Sequence, residues 1–158
     1  MRILTTFFFL LLLITSKAQD GLPYAGKHFF AISVENTEAT SKWYEDVFQM
    51  KLLKEIKTPD NRIHVRIVGN DFLQIEILQT KNSKSVTDFN IKAGQQFTMR
   101  GFFKTGFYVT DISKAESYFR AKKVTINHGI FEDKNTQSKS LIIEDNNGLL
   151  IQVSQEVK

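Results

Sequence analysis

The side chains with chemistry to offer are few and spread along the chain. It has three histidines, His28, His64 and His128, and no cysteine. Disulfides, thiolate metal sites and lipid attachment through a thiol are therefore excluded. Glu76 lies between Ile75 and Ile77, Gln152 between Ile151 and Val153, and His64 and Arg66 interrupt the apolar Ile63, Val65 and Ile67. Lys104 and Tyr108 stand two residues to either side of Gly106. In a strand such polar residues point away from their apolar neighbours. Histidine and carboxylate donors that converge can hold a divalent ion, whereas an ammonium or guanidinium can hold an anion. These residues are far apart in the chain, so only the fold can bring them together.

The elements that must position them are legible. Phe30, Ile32 and Val34 alternate with Ala31 and Ser33, the pattern of a strand with one buried face. Asn36 and Thr37 can cap the following helix, where Ala39, Trp43 and Val47 recur every four residues beside Tyr44 and Phe48. Strands are predicted over 51–56, 62–68 and 72–78, with Gly69-Asn70-Asp71 turning between the last two. Residues 80–95 are polar and read as a linker or flap.

The order then repeats. Thr105, Phe107 and Val109 alternate as a strand, and a helix begins within 111–113, where Ser113 and Glu116 fit a capping box. Strands follow near 124–127, 140–144 and 149–154, with Asp145-Asn146-Asn147-Gly148 turning into the last. His128 reads as a surface residue in the turn Asn127-His128-Gly129.

The N-terminus is of a different kind. Arg2, an apolar run over 3–14 and the small residues Ser16 and Ala18 predict a secretory signal cleaved after Ala18. The run is shorter than the roughly 20 residues of a spanning helix, so no membrane association is expected after cleavage. Export to a periplasmic or extracellular space follows. Without Arg2 and Lys17 the 21 basic residues become 19, against 17 acidic ones. So small and dispersed an excess excludes a nucleic-acid footprint.

Side by side, the two halves correspond. The segment Ala31-Ile32-Ser33-Val34 aligns with Gly106-Phe107-Tyr108-Val109, and Trp43-Tyr44 with Tyr118-Phe119. Residues 69–77 align with 145–153. Two consecutive βαβββ units of this kind resemble the vicinal oxygen chelate superfamily, which includes glyoxalase I, extradiol dioxygenases and bleomycin-binding proteins. The tract 145–148 running into Leu149-Leu150-Ile151-Gln152 looks like that family's turn and final strand. The fold class expected is α+β, two tandem βαβββ modules forming one pseudo-symmetric curved-sheet domain. Its divisions are a signal at 1–18, a lead-in at 19–27, modules at 28–80 and 101–155, and a linker at 81–100.

The resemblance implies two curled sheets around a cavity. In the family's metal enzymes it implies a divalent ion held by one residue on the first and the last strand of each half. Those positions fall here on Phe29, Glu76, Lys104 and Gln152, of which only Glu76 is an ordinary ligand. No cofactor is therefore expected. The alternative is a divalent metal held by His28 and Glu76, which needs a bulge to bring His28 inward and His64 to join.

Strand alternation then predicts a cavity holding His64, Arg66, Glu76, Lys104, Tyr108 and Gln152, with Lys104 and Glu76 paired. Phe29, Phe72, Phe102 and Phe103 are candidates for aromatic walls. Three functions compete. The first is a metal-free protein binding a small polar or anionic molecule through Arg66 and Lys104. The second is a metal-dependent lyase or dioxygenase, and the third is an interaction module or homodimer without a ligand.

Overall fold

The computed structural model describes residues 28–85, 88, 103–134 and 136–157. The predicted signal, the lead-in, Phe102 and most of the linker lie outside these residues. The first module runs β1 (His28–Ser33), α1 (Thr37–Phe48), β2 (Lys51–Lys57), β3 (Ile63–Gly69) and β4 (Leu73–Thr80). The second repeats it with β5 (Lys104–Tyr108), α2 (Ile112–Ala121), β6 (Thr125–Asp133), β7 (Ser138–Glu144) and β8 (Leu150–Glu156). Two mixed four-stranded sheets result, ordered β1-β4-β3-β2 and β5-β8-β7-β6. The first strand of each module lies parallel to its last, and the other pairs are antiparallel. This is the expected α+β pair of modules.

Helix α1 starts where Asn36 accepts a hydrogen bond from the Ala39 amide at 2.9 Å. Its buried face is Thr37, Thr40, Ser41, Tyr44 and Val47, while Ala39 is exposed. The predicted row of residues 39, 43 and 47 is therefore turned by part of a turn, because Tyr44 sinks fully into the core. Helix α2 is capped by Asp111, which accepts from the Lys114 amide at 2.9 Å, and the predicted capping box at Ser113 is not used. His128 lies within strand β6 and is exposed there, in a stretch of irregular register.

Each helix covers one face of its own sheet. Under α1 lie Val68, Ile75 and Ile77, and under α2 lie Leu141, Ile143, Ile151 and Val153, all fully or nearly fully buried. Burying a side chain of this size contributes ~2 kcal/mol. The opposite face of each sheet is not covered by its helix.

Candidate functional site

Strand register decides which side chains share the open faces. In the second module Lys104 is level with Leu150, Gly106 with Gln152 and Tyr108 with Ser154. Gln152 is level with Ile142, and Ser154 with Ser140. Lys104, Tyr108, Gln152, Ser140 and Ser154 therefore project from one face, as parity predicts for the first three.

They form a connected polar group. The Lys104 ammonium donates to Gln152 Oε1 at 2.5 Å. That fixes the amide, whose Nε2 donates to Ser140 Oγ at 3.1 Å and Ser154 Oγ at 3.2 Å. The two serine hydroxyls bond each other at 2.8 Å, and Ser138 and Thr136 extend the chain with a 2.8 Å bond. The ring of Phe103 lies 5.7 Å from Lys104 Nζ, in cation–π range. Lys104, Gly106, Tyr108, Gln152 and Ser154 line a cavity of about 280 Å³ with Thr105 and Phe107.

The first module presents a different surface on its open face. Glu76 is level with Ala31 and Ile67, and Val65 with Leu78. The carboxylate stands among apolar side chains, and among the described residues it makes no ion pair with Lys104. The expected Lys104–Glu76 pair is replaced by Lys104–Gln152, because each of these side chains is held by its own sheet.

Two predicted cavity residues are on the wrong face. His64 is level with Gln79, Arg66 with Ile77 and Val68 with Ile75, so all three point toward α1, away from Glu76. The apolar row Ile63, Val65 and Ile67 takes the open face instead. By alternation alone the apolar row is the one expected to meet the helix. The reason it does not is polar: the start of α1 and strand β2 supply partners for a histidine. His64 Nδ1 is 2.7 Å from Thr37 Oγ1, and its Nε2 is 2.7 Å from Glu55 Oε1. With Glu55 ionised, Nε2 donates to the carboxylate, and the Thr37 hydroxyl sits between Nδ1 and Gln79 Oε1, which lies 3.4 Å from it. The hydrogen bond from His64, and then Lys57, hold the Glu55 carboxyl below its ordinary range. Arg66 lies beside Glu55, and among the described residues its buried Nε has no hydrogen-bond partner.

Glu38, Glu55 and His64 bring three donor atoms within 4.8 Å of one another. The Lys57 ammonium lies 3.4 Å from both carboxylates, so a cation of the chain already serves them.

A contact between the halves went unforeseen. The Tyr44 hydroxyl donates to Asp145 Oδ2 at 3.0 Å in a buried setting. Burial, and then the charge of Asp145, raise the Tyr44 phenol far above its ordinary value. Asp145 Oδ1 accepts from the Asn147 and Leu149 amides, both at 2.8 Å, which closes the turn around Gly148. Gly148 has φ of +80°, a conformation that favours glycine. An aspartate opening a turn was legible, but its partner in the other module was not.

The larger cavity, about 420 Å³, lies at the seam between the modules. Its walls include Phe29, Phe30, Phe48, Met50 and Phe72 from the first module and Gly106, Phe107 and Tyr108 from the second.

The donor set does not fit a divalent metal at the four family positions. Phe29 offers no ligand atom, Lys104 is a cation, and the Gln152 oxygen is engaged by that cation. His28 does not repair the set, since β1 pairs with β4 in unbroken register and directs His28 to the face opposite Glu76.

Duplicated βαβββ modules that meet at a cavity-lined seam define the class of fold. Within that class the chain belongs to the Glyoxalase/Bleomycin resistance protein/Dioxygenase superfamily, whose family model matches residues 26–153. No curated protein matches the chain. Among solved structures it is similar to a glyoxalase family protein from Enterococcus faecalis, with a TM-score of 0.68 and 17% identity over 83% of this chain and 98% of that one. It is also similar to the trypanothione-dependent glyoxalase I of Leishmania major, with a TM-score of 0.58 and 17% identity over 81% and 84% of the two chains. TioX from Micromonospora sp. gives a TM-score of 0.58 and 13% identity over 83% and 98%. At these identities the likeness is one of fold.

Proposed function

We propose that this chain is an exported binding protein of the superfamily that holds a small organic anion without a metal. The observation that carries the reading is the 2.5 Å bond from Lys104 to Gln152, which joins two of the four family metal positions. A fixed positive charge stands where the family's metal enzymes place an ion. An ammonium attracts a carboxylate or another anionic oxygen as an ion does, but it offers no open coordination position for Lewis-acid chemistry. The amide and serine hydroxyls behind it hold the ammonium in place. Arg66 has no part in this reading, since it faces α1.

Metal analysis and calorimetry on protein purified without chelators test the proposal. The expected result is no stoichiometric transition metal, binding of simple carboxylates, and at least tenfold weaker binding in Lys104→Met. A stoichiometric metal that is lost in Glu76→Ala would overturn it. The export part rests on the N-terminal pattern of Arg2, the apolar run and Ala18. It is tested by the mass of the protein recovered from the producing organism, which should lack residues 1–18.

A further inference from the structure

The two cavities are not separate features. Both are lined by Thr105, Gly106, Phe107 and Tyr108 of β5, so they adjoin along one edge strand. One holds the ammonium and its polar supports. The other is walled mainly by aromatic and aliphatic side chains, with His28, Asn70 and Thr105 among them.

Three of those walls are unusual. Phe29 is 75% exposed, Phe72 80% and Tyr108 69%, and all three line the larger cavity. Single exposed apolar residues are ordinary, but aromatic rings gathered around one opening mark a binding surface. The strip between Lys104 and Tyr108 carries only Gly106. A Cβ there would stand 2.6 Å from the Gln152 carbonyl oxygen, so the close approach of β5 to β8 keeps this strip without a side chain. From Lys104 to Tyr108 is four residues along a strand, or ~13 Å.

The polar group is also selective. The Gln152 amide is taken up by Lys104, Ser140 and Ser154, and the serine hydroxyls bond one another. They have little left for a ligand rich in hydroxyls. The ammonium keeps two N–H donors that no described residue takes.

We infer that the ligand is an amphipathic anion, its negative oxygens on Lys104 and its ring-sized or short-chain apolar body across Gly106 against Phe29, Phe72 and Tyr108. This rests on the anion-binding reading above and adds the class of molecule.

The chain provides its own reporter. Its one tryptophan, Trp43, has its ring centroid 4.9 Å from that of Tyr44 and 5.6 Å from that of Phe48, and both neighbours line the larger cavity. Titrating the mature protein with benzoate, phenylacetate, hexanoate, acetate and neutral benzamide, with calorimetry and Trp43 emission as readouts, tests the inference. At least one of the first three should bind tenfold or more tightly than acetate and benzamide, and shift the Trp43 emission. The double variant Phe29→Ser and Phe72→Ser, at exposed positions, should remove that advantage while leaving acetate binding unchanged.

Lys104-dependent acetate binding with no gain from an apolar body would overturn this inference and leave the anion site standing. Equal binding of benzoate and benzamide, insensitive to Lys104→Met, would overturn both. Failure of all the anions to bind would also overturn both.

Discussion

Lys104 is the side chain on which the proposed anion site rests. Its partner is Gln152, and neither group is buried deeply enough to leave an uncompensated charge when one is removed. Lys104→Met should therefore leave thermal stability nearly unchanged while anion binding falls, a split that thermal unfolding and calorimetry read together. Tyr44 is the opposite case, since its hydroxyl meets a buried carboxylate. Tyr44→Phe should cost about 1–3 kcal/mol in denaturant unfolding, because Asp145 loses a donor that water does not readily replace. Glu55 sets an acid dependence. Its folded pKa lies below its ordinary value because His64 donates to it, so the stability it contributes is present above the ordinary carboxylate range. That contribution is lost as pH falls through the folded pKa. The stability difference between the native chain and Glu55→Gln should shrink over that acid window, as followed by urea unfolding at successive pH values.

At the scale of elements, β5 is the strand on which the reading depends. It is short, lies at the edge of its sheet, and contributes to both cavities. Gly106 lets it lie close to β8. Gly106→Ala should force the strands apart and destabilise the protein by about 1–3 kcal/mol, measurable by thermal unfolding, with weaker ligand binding as Lys104 moves off Gln152. Strand β3 illustrates the ambiguity of alternation in a central strand. Its two faces carry Ile63, Val65 and Ile67 on one side and His64, Arg66 and Val68 on the other. Both rows are covered in part, so polarity alone does not say which meets the helix. Val68 was the available signal: it is apolar and shares the face of His64, and it lies fully buried under α1.

For the whole molecule the seam matters as much as either module. Tyr44 reaches Asp145, the Tyr118 hydroxyl donates to the Val47 carbonyl at 2.8 Å, and Phe48 packs edge-on against Phe107 and Phe119. One core cluster joins buried residues of both halves. The modules should therefore unfold as one unit, with equal calorimetric and van't Hoff enthalpies. Two separated transitions would show that the seam contributes little. The halves share a backbone plan but present different open faces, apolar around Glu76 in the first and hydroxyl-rich behind Lys104 in the second.

The sequence by itself determined the duplication, the type and order of the elements, and the family. The elements and their repetition follow from local periodicity, turn chemistry and the alignment of Trp43-Tyr44 with Tyr118-Phe119, which short-range sterics and burial impose on each segment separately, and the family from the resemblance of the repeated units. It also identified Phe29, Lys104 and Gln152 as residues at odds with a metal site, beside Glu76 as the one ordinary ligand among the four positions. The tertiary structure alone decided which of them touch. Register between strands put Gln152, not Glu76, within reach of Lys104 and turned His64 and Arg66 toward α1. The docking of one module on the other created the aromatic cavity at the seam. These outcomes depend on contacts between residues far apart in the chain, where the energy of one alternative over another comes from partners that no local pattern names.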